Sequence, residues 1–381
     1  MTVPFLDLQA QHRPLRDEIL AAWAEIYDST AFVAGPRVEA FEQAFAAAHG
    51  STHAVAVSNG TAALELALRA LGIGHGDRVI VPANTFIATA EAVSNVGAIP
   101  LLVDCDPDSR TISVGDAVRA MDEPGVRAVL PVHLYGQPAD MDPIIEAAGQ
   151  RGIAVVEDAA QGHLARYKGR PVGSLGVMAC FSFYPGKNLG APGEGGAVTT
   201  SDDALAAKLQ VLRNHGQAVK YHSDVVGGNA RMHEMVGAAL SIKLPHLAGW
   251  TEARRRAAAW YHEELEDVAG VDLFPEPAGA YSVYHLFVVE VDDRDRVLAA
   301  LNEAGIGAAL HYPVPVHLQE AYASLGLGEG SFPHAERSAS RLLSLPMFAE
   351  ITRDQIARVA TVLRHAVLDT RSVPVSSGER V

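Results

Sequence analysis

Ile153-Ala154-Val155-Val156-Glu157-Asp158 carries four apolar residues straight into two carboxylates. A short, continuously apolar run suits a strand covered on both faces, the usual setting of a parallel sheet. Working outward, Arg127 to Val132, Pro100 to Asp104 and Arg78 to Pro82 repeat the pattern. Helix-like segments lie between such runs, among them Gly60 to Leu71 and Ala88 to Val96. This alternation predicts an α/β fold built on a mainly parallel sheet. Ligands of such sheets bind beyond the carboxyl ends of the strands, which puts Asp104 and Asp158 where chemistry is expected.

Beyond this region, Glu234 to Val268 has the spacing of a long helix, bent near Pro245. Strand Tyr284 to Val291, helix Arg294 to Ala304, strand-like Ala308 to Tyr312 and helix Arg353 to Val367 are enough for a small α+β domain. The expected division is a large domain over residues 1–245 with an N-terminal arm, a small domain over 246–370, and a disordered tail over 371–381. The tail is Ser, Gly and charge with little to bury.

Composition narrows the function. A formal net charge of −15 opposes a sequence-independent grip on nucleic acid or an anionic membrane surface. Cys105 and Cys180 both sit in apolar runs and read as reduced core residues, which suits a cytoplasmic protein. No apolar run approaches the length of a membrane span.

Phe181-Ser182-Phe183-Tyr184-Pro185-Gly186-Lys187-Asn188-Leu189 places one lysine where Pro185 and Gly186 oppose regular helix. Gly193-Glu194-Gly195-Gly196 follows, a segment in which backbone can approach a ligand closely. A lysine amine becomes a nucleophile when burial or nearby charge lowers its pKa, and Schiff-base chemistry with a carbonyl is the usual purpose. A solvated loop lysine is the plain alternative. Ser58-Asn59-Gly60-Thr61, at a helix start, offers backbone N–H groups and a favourable dipole to a phosphate; simple N-capping explains the same residues. Asp158, ending a buried strand, wants a cation, either a salt-bridge partner or a protonated pyridine nitrogen. Phe86 is either core or a stacking ring. Phosphate cradle, pyridinium partner, stacking ring and Schiff-base lysine are complementary parts of one cofactor, pyridoxal 5′-phosphate.

Ser58-Asn59-Gly60-Thr61, Glu157-Asp158-Ala159-Ala160-Gln161, Ser182-Phe183 through Lys187-Asn188-Leu189, Gly193-Glu194-Gly195-Gly196 and Gly228-Asn229-Ala230-Arg231-Met232 stand in this order along the chain. Together they resemble the DegT/DnrJ/EryC1/StrS family of nucleotide-sugar aminotransferases, from Phe5-Leu6-Asp7-Leu8 to about His365. The resemblance implies the fold type I aminotransferase architecture: a large domain with a mainly parallel seven-stranded sheet and a smaller C-terminal α+β domain. It also implies a homodimer with active sites at the subunit interface. Carried over by position, Lys187 would bond to pyridoxal phosphate and Asp158 would pair with the pyridine nitrogen. Gln161 would reach the ring's hydroxyl side and Phe86 would stack on the ring. Gly60, Thr61 and Ser182 would hold the phosphate, with Asn229 reaching across from the second subunit. His163 would line the cofactor pocket, although Leu164 stands after it where the family more often has glycine.

The implied reaction moves an amino group from L-glutamate to the keto carbon of a nucleotide-linked sugar. Tyr184, Lys220, Tyr221, His311, Tyr312 and His317 fall in segments similar to substrate-facing parts of the family; a metal reading of the two histidines finds no supporting carboxylate set. Tyr184-Pro185-Gly186-Lys187 and the segment from His311 to Leu318 resemble members acting on dTDP-linked 3-keto-6-deoxy sugars. Ala160-Gln161-Gly162 and Gly193-Glu194-Gly195 resemble members acting at C-4. C-3 is narrowly favoured. Two other classes are weaker: a pyridoxal-dependent sugar dehydratase, opposed by the intact Lys187, and a non-catalytic cofactor-binding sensor. Gly72-Ile73-Gly74-His75-Gly76 precedes a strand instead of following one, so a dinucleotide fingerprint fails.

Overall fold

The computed structural model describes residues 2–33 and 35–370. The expected disordered tail over 371–381 lies outside them. Seven strands form the main sheet: β1 (His53–Val57), β2 (Arg78–Pro82), β3 (Ile99–Val103), β4 (Val126–Val129), β5 (Ala154–Asp158), β6 (Met178–Ser182) and β7 (Gly196–Thr200). Their spatial order is β1-β7-β6-β5-β4-β2-β3. β7 runs antiparallel to both its neighbours, and the remaining pairs are parallel.

Helices cover both faces. Gly60–Ala70 and Ile87–Asn95 pack on one side with Val55, Val57, Val79, Val81 and Val156. On the other side, Pro36–Ala48 joins Phe181, Phe183 and Val236, while Met141–Arg151 packs with Ile80, Val129 and Val155. Alternate residues of one strand therefore enter different cores, as strand geometry requires.

The long helical region runs as Glu234–Lys243, a 3-10 turn Leu244–His246 containing Pro245, and Leu247–Leu265. A proline ring there removes one N–H and crowds the preceding turn, which accounts for the break. A second core lies beyond it, where Val271–Leu273, Phe287–Val291 and Leu342–Leu345 form an antiparallel sheet backed by Arg294–Glu303 and Arg353–Thr370. The N-terminal arm crosses to this core, with Val3 bridged to Ile306. The strand expected over Ala308 to Tyr312 is absent; that segment contributes one bridge, Ala309 with Ser344, and then turns toward the main sheet.

Asp104 also departs from expectation. It follows β3, but its carboxylate accepts the backbone N–H groups of His334 and Ala335 at 3.0 and 2.8 Å. These belong to the first turn of Pro333–Arg341, where free N–H groups favour an anion. Asp104 fastens that helix and takes no part in the cavity described next. Arg110 and Glu290, 2.8 Å apart and buried, form a second tie between the main sheet's loops and the C-terminal sheet. No helix among the described residues is long and apolar enough to cross a membrane.

Candidate active site

A cavity of about 970 Å³ opens beyond the carboxyl ends of β2, β5 and β6. Asp158 ends β5 and Ser182 ends β6, while Thr85 and Phe86 follow β2. The helix Gly60–Ala70 points its N-terminus into the same space. Asn59 caps it by accepting the Ala62 N–H at 2.8 Å, and Gly60, Thr61 and Ala62 line the wall. A β-carbon on Gly60 would come within 2.7 Å of the Ser182 β-carbon, so glycine permits the close approach of helix start and strand end. The result is an anion-receptive corner bearing a hydroxyl.

Lys187 is carried by a tight loop. Its N–H donates to the Tyr184 carbonyl at 2.8 Å, and Ala191 N–H returns to the Phe183 carbonyl at 2.7 Å. A β-carbon on Gly190 would lie 2.1 Å from the Pro185 oxygen, so the loop closes this tightly only over glycine. Burial pushes the Lys187 amine down to about 8, with the Asp158 carboxylate pulling the other way. An amine of this kind is largely charged yet easily deprotonated near neutrality.

That shift has a measurable consequence in cofactor-free protein. The folded-state pKa lies below the ordinary 10.5. The charged amine therefore penalises the fold below about pH 8, and the penalty is released as pH rises toward 10.5. Lys187→Met should make the apo protein more stable than the parent at pH 7, with the gap closing across that window. Denaturant melts of both proteins check this. Comparing the two cancels Lys243, which burial also brings down to about 8.

Strand alternation assigns opposite duties to Glu157 and Asp158. Glu157 turns away from the cavity, accepting the N–H groups of Gly173, Leu175 and Gly176 and lying 3.0 Å from His133 Nε2. Asp158 faces the cavity. Its Oδ1 accepts Ala160 N–H at 3.1 Å and its Oδ2 accepts the Thr89 hydroxyl at 2.7 Å. Burial pushes its pKa up, opposed by these two bonds and by Lys187 and His133.

Phe86 and Tyr312 flank the opening, their rings 5.2 Å apart. Gln161 lies between two segments of chain: its Oε1 accepts Tyr135 N–H at 2.5 Å and its Nε2 donates to the Tyr312 hydroxyl at 3.1 Å. Burial raises the Tyr312 phenol, keeping it protonated as a donor. His311 stacks on Phe5 at 5.6 Å and is brought down to about 4 by burial and Lys187. Tyr184 is exposed on the cavity wall.

Several lining residues escaped the sequence reading. Phe5 and Leu6 arrive from the N-terminal arm, and Glu65 from one turn into the capped helix. His285 lies beside Lys187's loop, its Nδ1 3.1 Å from Asn188 Oδ1. The Asn188 Nδ2 donates to the Val283 carbonyl, which orients the amide oxygen toward His285. Burial and then the Lys187 charge hold this imidazole well below its ordinary range. A histidine immediately ahead of an apolar strand was its one visible signal.

Five of the expected site residues lie elsewhere. His163 is fully buried among Phe45, Phe181 and Phe183 and does not line the cavity, although Ser182 and Lys187 are near it, and burial keeps it neutral. His317 is buried in a knot with Glu336, 2.9 Å away, and Phe332. Lys220 and Tyr221 sit at the exposed end of a hairpin, and Asn229 is exposed beside Asn214. None of these three reaches the cavity of its own chain.

The fold and this cavity define a fold type I aminotransferase. A model of the DegT/DnrJ/EryC1/StrS aminotransferase family matches residues 14–364, and the chain belongs to this family of pyridoxal-phosphate-dependent nucleotide-sugar aminotransferases. Among its relatives is a UDP-N-acetyl-3-dehydro-alpha-D-glucosamine 3-aminotransferase of Acidithiobacillus ferrooxidans, 47% identical across 96% of this chain and 98% of that protein. Another is a dTDP-3-amino-3,4,6-trideoxy-alpha-D-glucose transaminase of Streptomyces venezuelae, 47% identical across 95% of both. A crystal structure of S. venezuelae DesV in complex with a ketimine intermediate superposes with a TM-score of 0.93, at 47% identity, covering 96% of this chain and 98% of that one.

Proposed function

We propose that this enzyme transfers the amino group of L-glutamate to C-3 of a dTDP-linked 3-keto-6-deoxy sugar, using pyridoxal phosphate held on Lys187. The observation that carries the cofactor assignment is Asp158, a buried carboxylate whose hydrogen-bond partners are neutral donors. A buried anion without a cationic partner is costly, and a protonated ring nitrogen would complement it. The anion-receptive corner at Gly60, Thr61 and Ser182 suits the phosphate, and Phe86 is an aromatic side chain on the wall against which a ring could stack. Gln161 has one amide N–H committed to Tyr312, leaving the other for the ring's hydroxyl side.

When bound, the cofactor supplies an aldehyde that exchanges amines and a ring that takes up the electrons left when a proton departs. Lys187 Nζ would hold it covalently and, as a free amine, would move the proton between the donor's α-carbon and the cofactor's aldehyde carbon. Asp158 keeps a proton on the ring nitrogen. Phe86 and Tyr312 narrow the opening, and the Tyr312 hydroxyl, held by Gln161, is a donor for the sugar. The two half-reactions give ping-pong kinetics.

The wall carries Asp158, Glu65 and Glu194, and Lys187 is its one lysine or arginine among the described residues. A nucleoside diphosphate needs further cations. Lys220, Tyr221 and Asn229 are exposed and outside their own cavity, and in a homodimer with shared sites they would serve the other protomer's. C-3 is supported by the names of the two relatives above, both of them 3-amino transferases. Amination at C-4 is the second reading, favoured by Glu194 on the wall.

The test is to run dTDP-3-keto- and dTDP-4-keto-6-deoxyglucose side by side with glutamate and locate the new amine by NMR. Amine at C-3 with stoichiometric 2-oxoglutarate is the expected outcome. Amine formed from the 4-keto sugar alone overturns the assignment of position.

A further inference from the structure

Asp158 is held from both oxygens, and the Thr89 side of that grip continues. Thr85 Oγ1 lies 2.8 Å from Thr89 Oγ1, which donates to Asp158 Oδ2 at 2.7 Å. All three residues are buried. A hydroxyl carries one proton. Thr89 commits its proton to the carboxylate, so Thr85 must be the donor in the first link. The direction is therefore fixed: Thr85 to Thr89 to Asp158. Donation from Thr85 polarises the Thr89 hydroxyl and strengthens its bond to the anion.

The helix Ile87–Asn95 makes the arrangement possible. Thr89 occupies its first turn, with its N–H donating to the Phe86 carbonyl at 3.1 Å, and Thr85 stands four residues earlier, just outside the helix. A helical threonine commonly turns its hydroxyl back to the carbonyl four residues before it. Here the hydroxyl of Thr85 takes that place and Thr89 points its own proton at Asp158.

We propose that Thr89 is a positioning residue that keeps Asp158 charged and oriented throughout the reaction, backed by Thr85. The inference rests on the reading that Asp158 faces the cofactor's ring nitrogen. Burial works against the charge on Asp158, and the charge on Lys187 opposes that effect. That support is not constant. Lys187 would give up its ammonium on bonding to the cofactor or in proton transfer. The Thr89 hydroxyl and the Ala160 N–H remain at every stage.

The experiment uses holoenzyme loaded with cofactor labelled with 15N in the ring, comparing the parent with Thr89→Val, Thr89→Ser, Thr85→Val and Asp158→Asn. The readouts are the ring-nitrogen chemical shift against pH and the cofactor dissociation constant. Thr89→Val is expected to lower the ring-nitrogen pKa and weaken cofactor binding about 10- to 100-fold, the loss of one hydrogen bond to a buried charge. Thr89→Ser should restore both, and Thr85→Val should move both in the same direction by less. A Thr89→Val enzyme with the parent's shift and affinity, in a protein where Asp158→Asn changes them, overturns the role of Thr89 alone. A parent whose ring nitrogen is unprotonated, and indifferent to Asp158→Asn, overturns the reading of Asp158 and this inference with it. Should Thr89→Val not fold, an unchanged shift and affinity in Thr85→Val overturns the relay.

Discussion

Lys187→Ala is expected to reduce amino transfer by at least about 10³-fold, because one atom performs two tasks. Its Nζ holds the cofactor, and the same nitrogen moves the proton. Adding a small primary amine should recover part of the proton-transfer step, since the loop and the rest of the cavity remain in place. Circular dichroism should show an unchanged fold, because the loop is closed by backbone bonds from Tyr184 and Phe183 and by Gly190, not by the lysine side chain. Retention of more than about a tenth of parental turnover in steady-state assays would contradict the assignment.

Asp158→Asn is expected to cost about 10²–10³-fold in kcat, the range for removing one electrostatic contact made to developing charge in a buried site. The amide has nearly the same shape, and its oxygen can still accept from Thr89. What it lacks is the charge that keeps the ring nitrogen protonated, so kcat should fall far more than the KM for glutamate. Equal losses in binding and turnover would point instead to a collapsed cavity.

Much of the frame was legible in sequence because β2 to β5 each carry a short run of consecutive apolar residues, and few other structures accommodate such runs between helices. β6 and β7 were harder. Gly196–Thr200 is built from small and polar residues, Met178–Ser182 ends next to the loop of Lys187, and the antiparallel placement of β7 between β1 and β6 is a long-range choice without local signal. Ala308 to Tyr312 has strand-forming composition, yet its one bridge gives way to a segment that delivers His311 and Tyr312 to the cavity.

The site divides in the same way. Asp158, Ser182, Phe86 and Gly60 lie at strand or helix ends, and topology alone delivers them to one place. His163 is close to Gln161 in sequence, but its ring packs against Phe181 and Phe183 and does not line the cavity. His317 is held by Glu336, a partner 19 residues further along that nothing in its own neighbourhood announces. His285, Phe5 and Leu6 reach the cavity only once the C-terminal core and the N-terminal arm have packed against the main sheet.

Borohydride reduction of the cofactor-loaded protein, followed by proteolysis and mass spectrometry, tests the central claim most directly. One pyridoxyl-phosphate adduct on the peptide carrying Lys187 is the predicted result, and prior incubation with glutamate should abolish it. An adduct on another lysine, or one that glutamate leaves untouched, would contradict an aminotransferase built on Lys187.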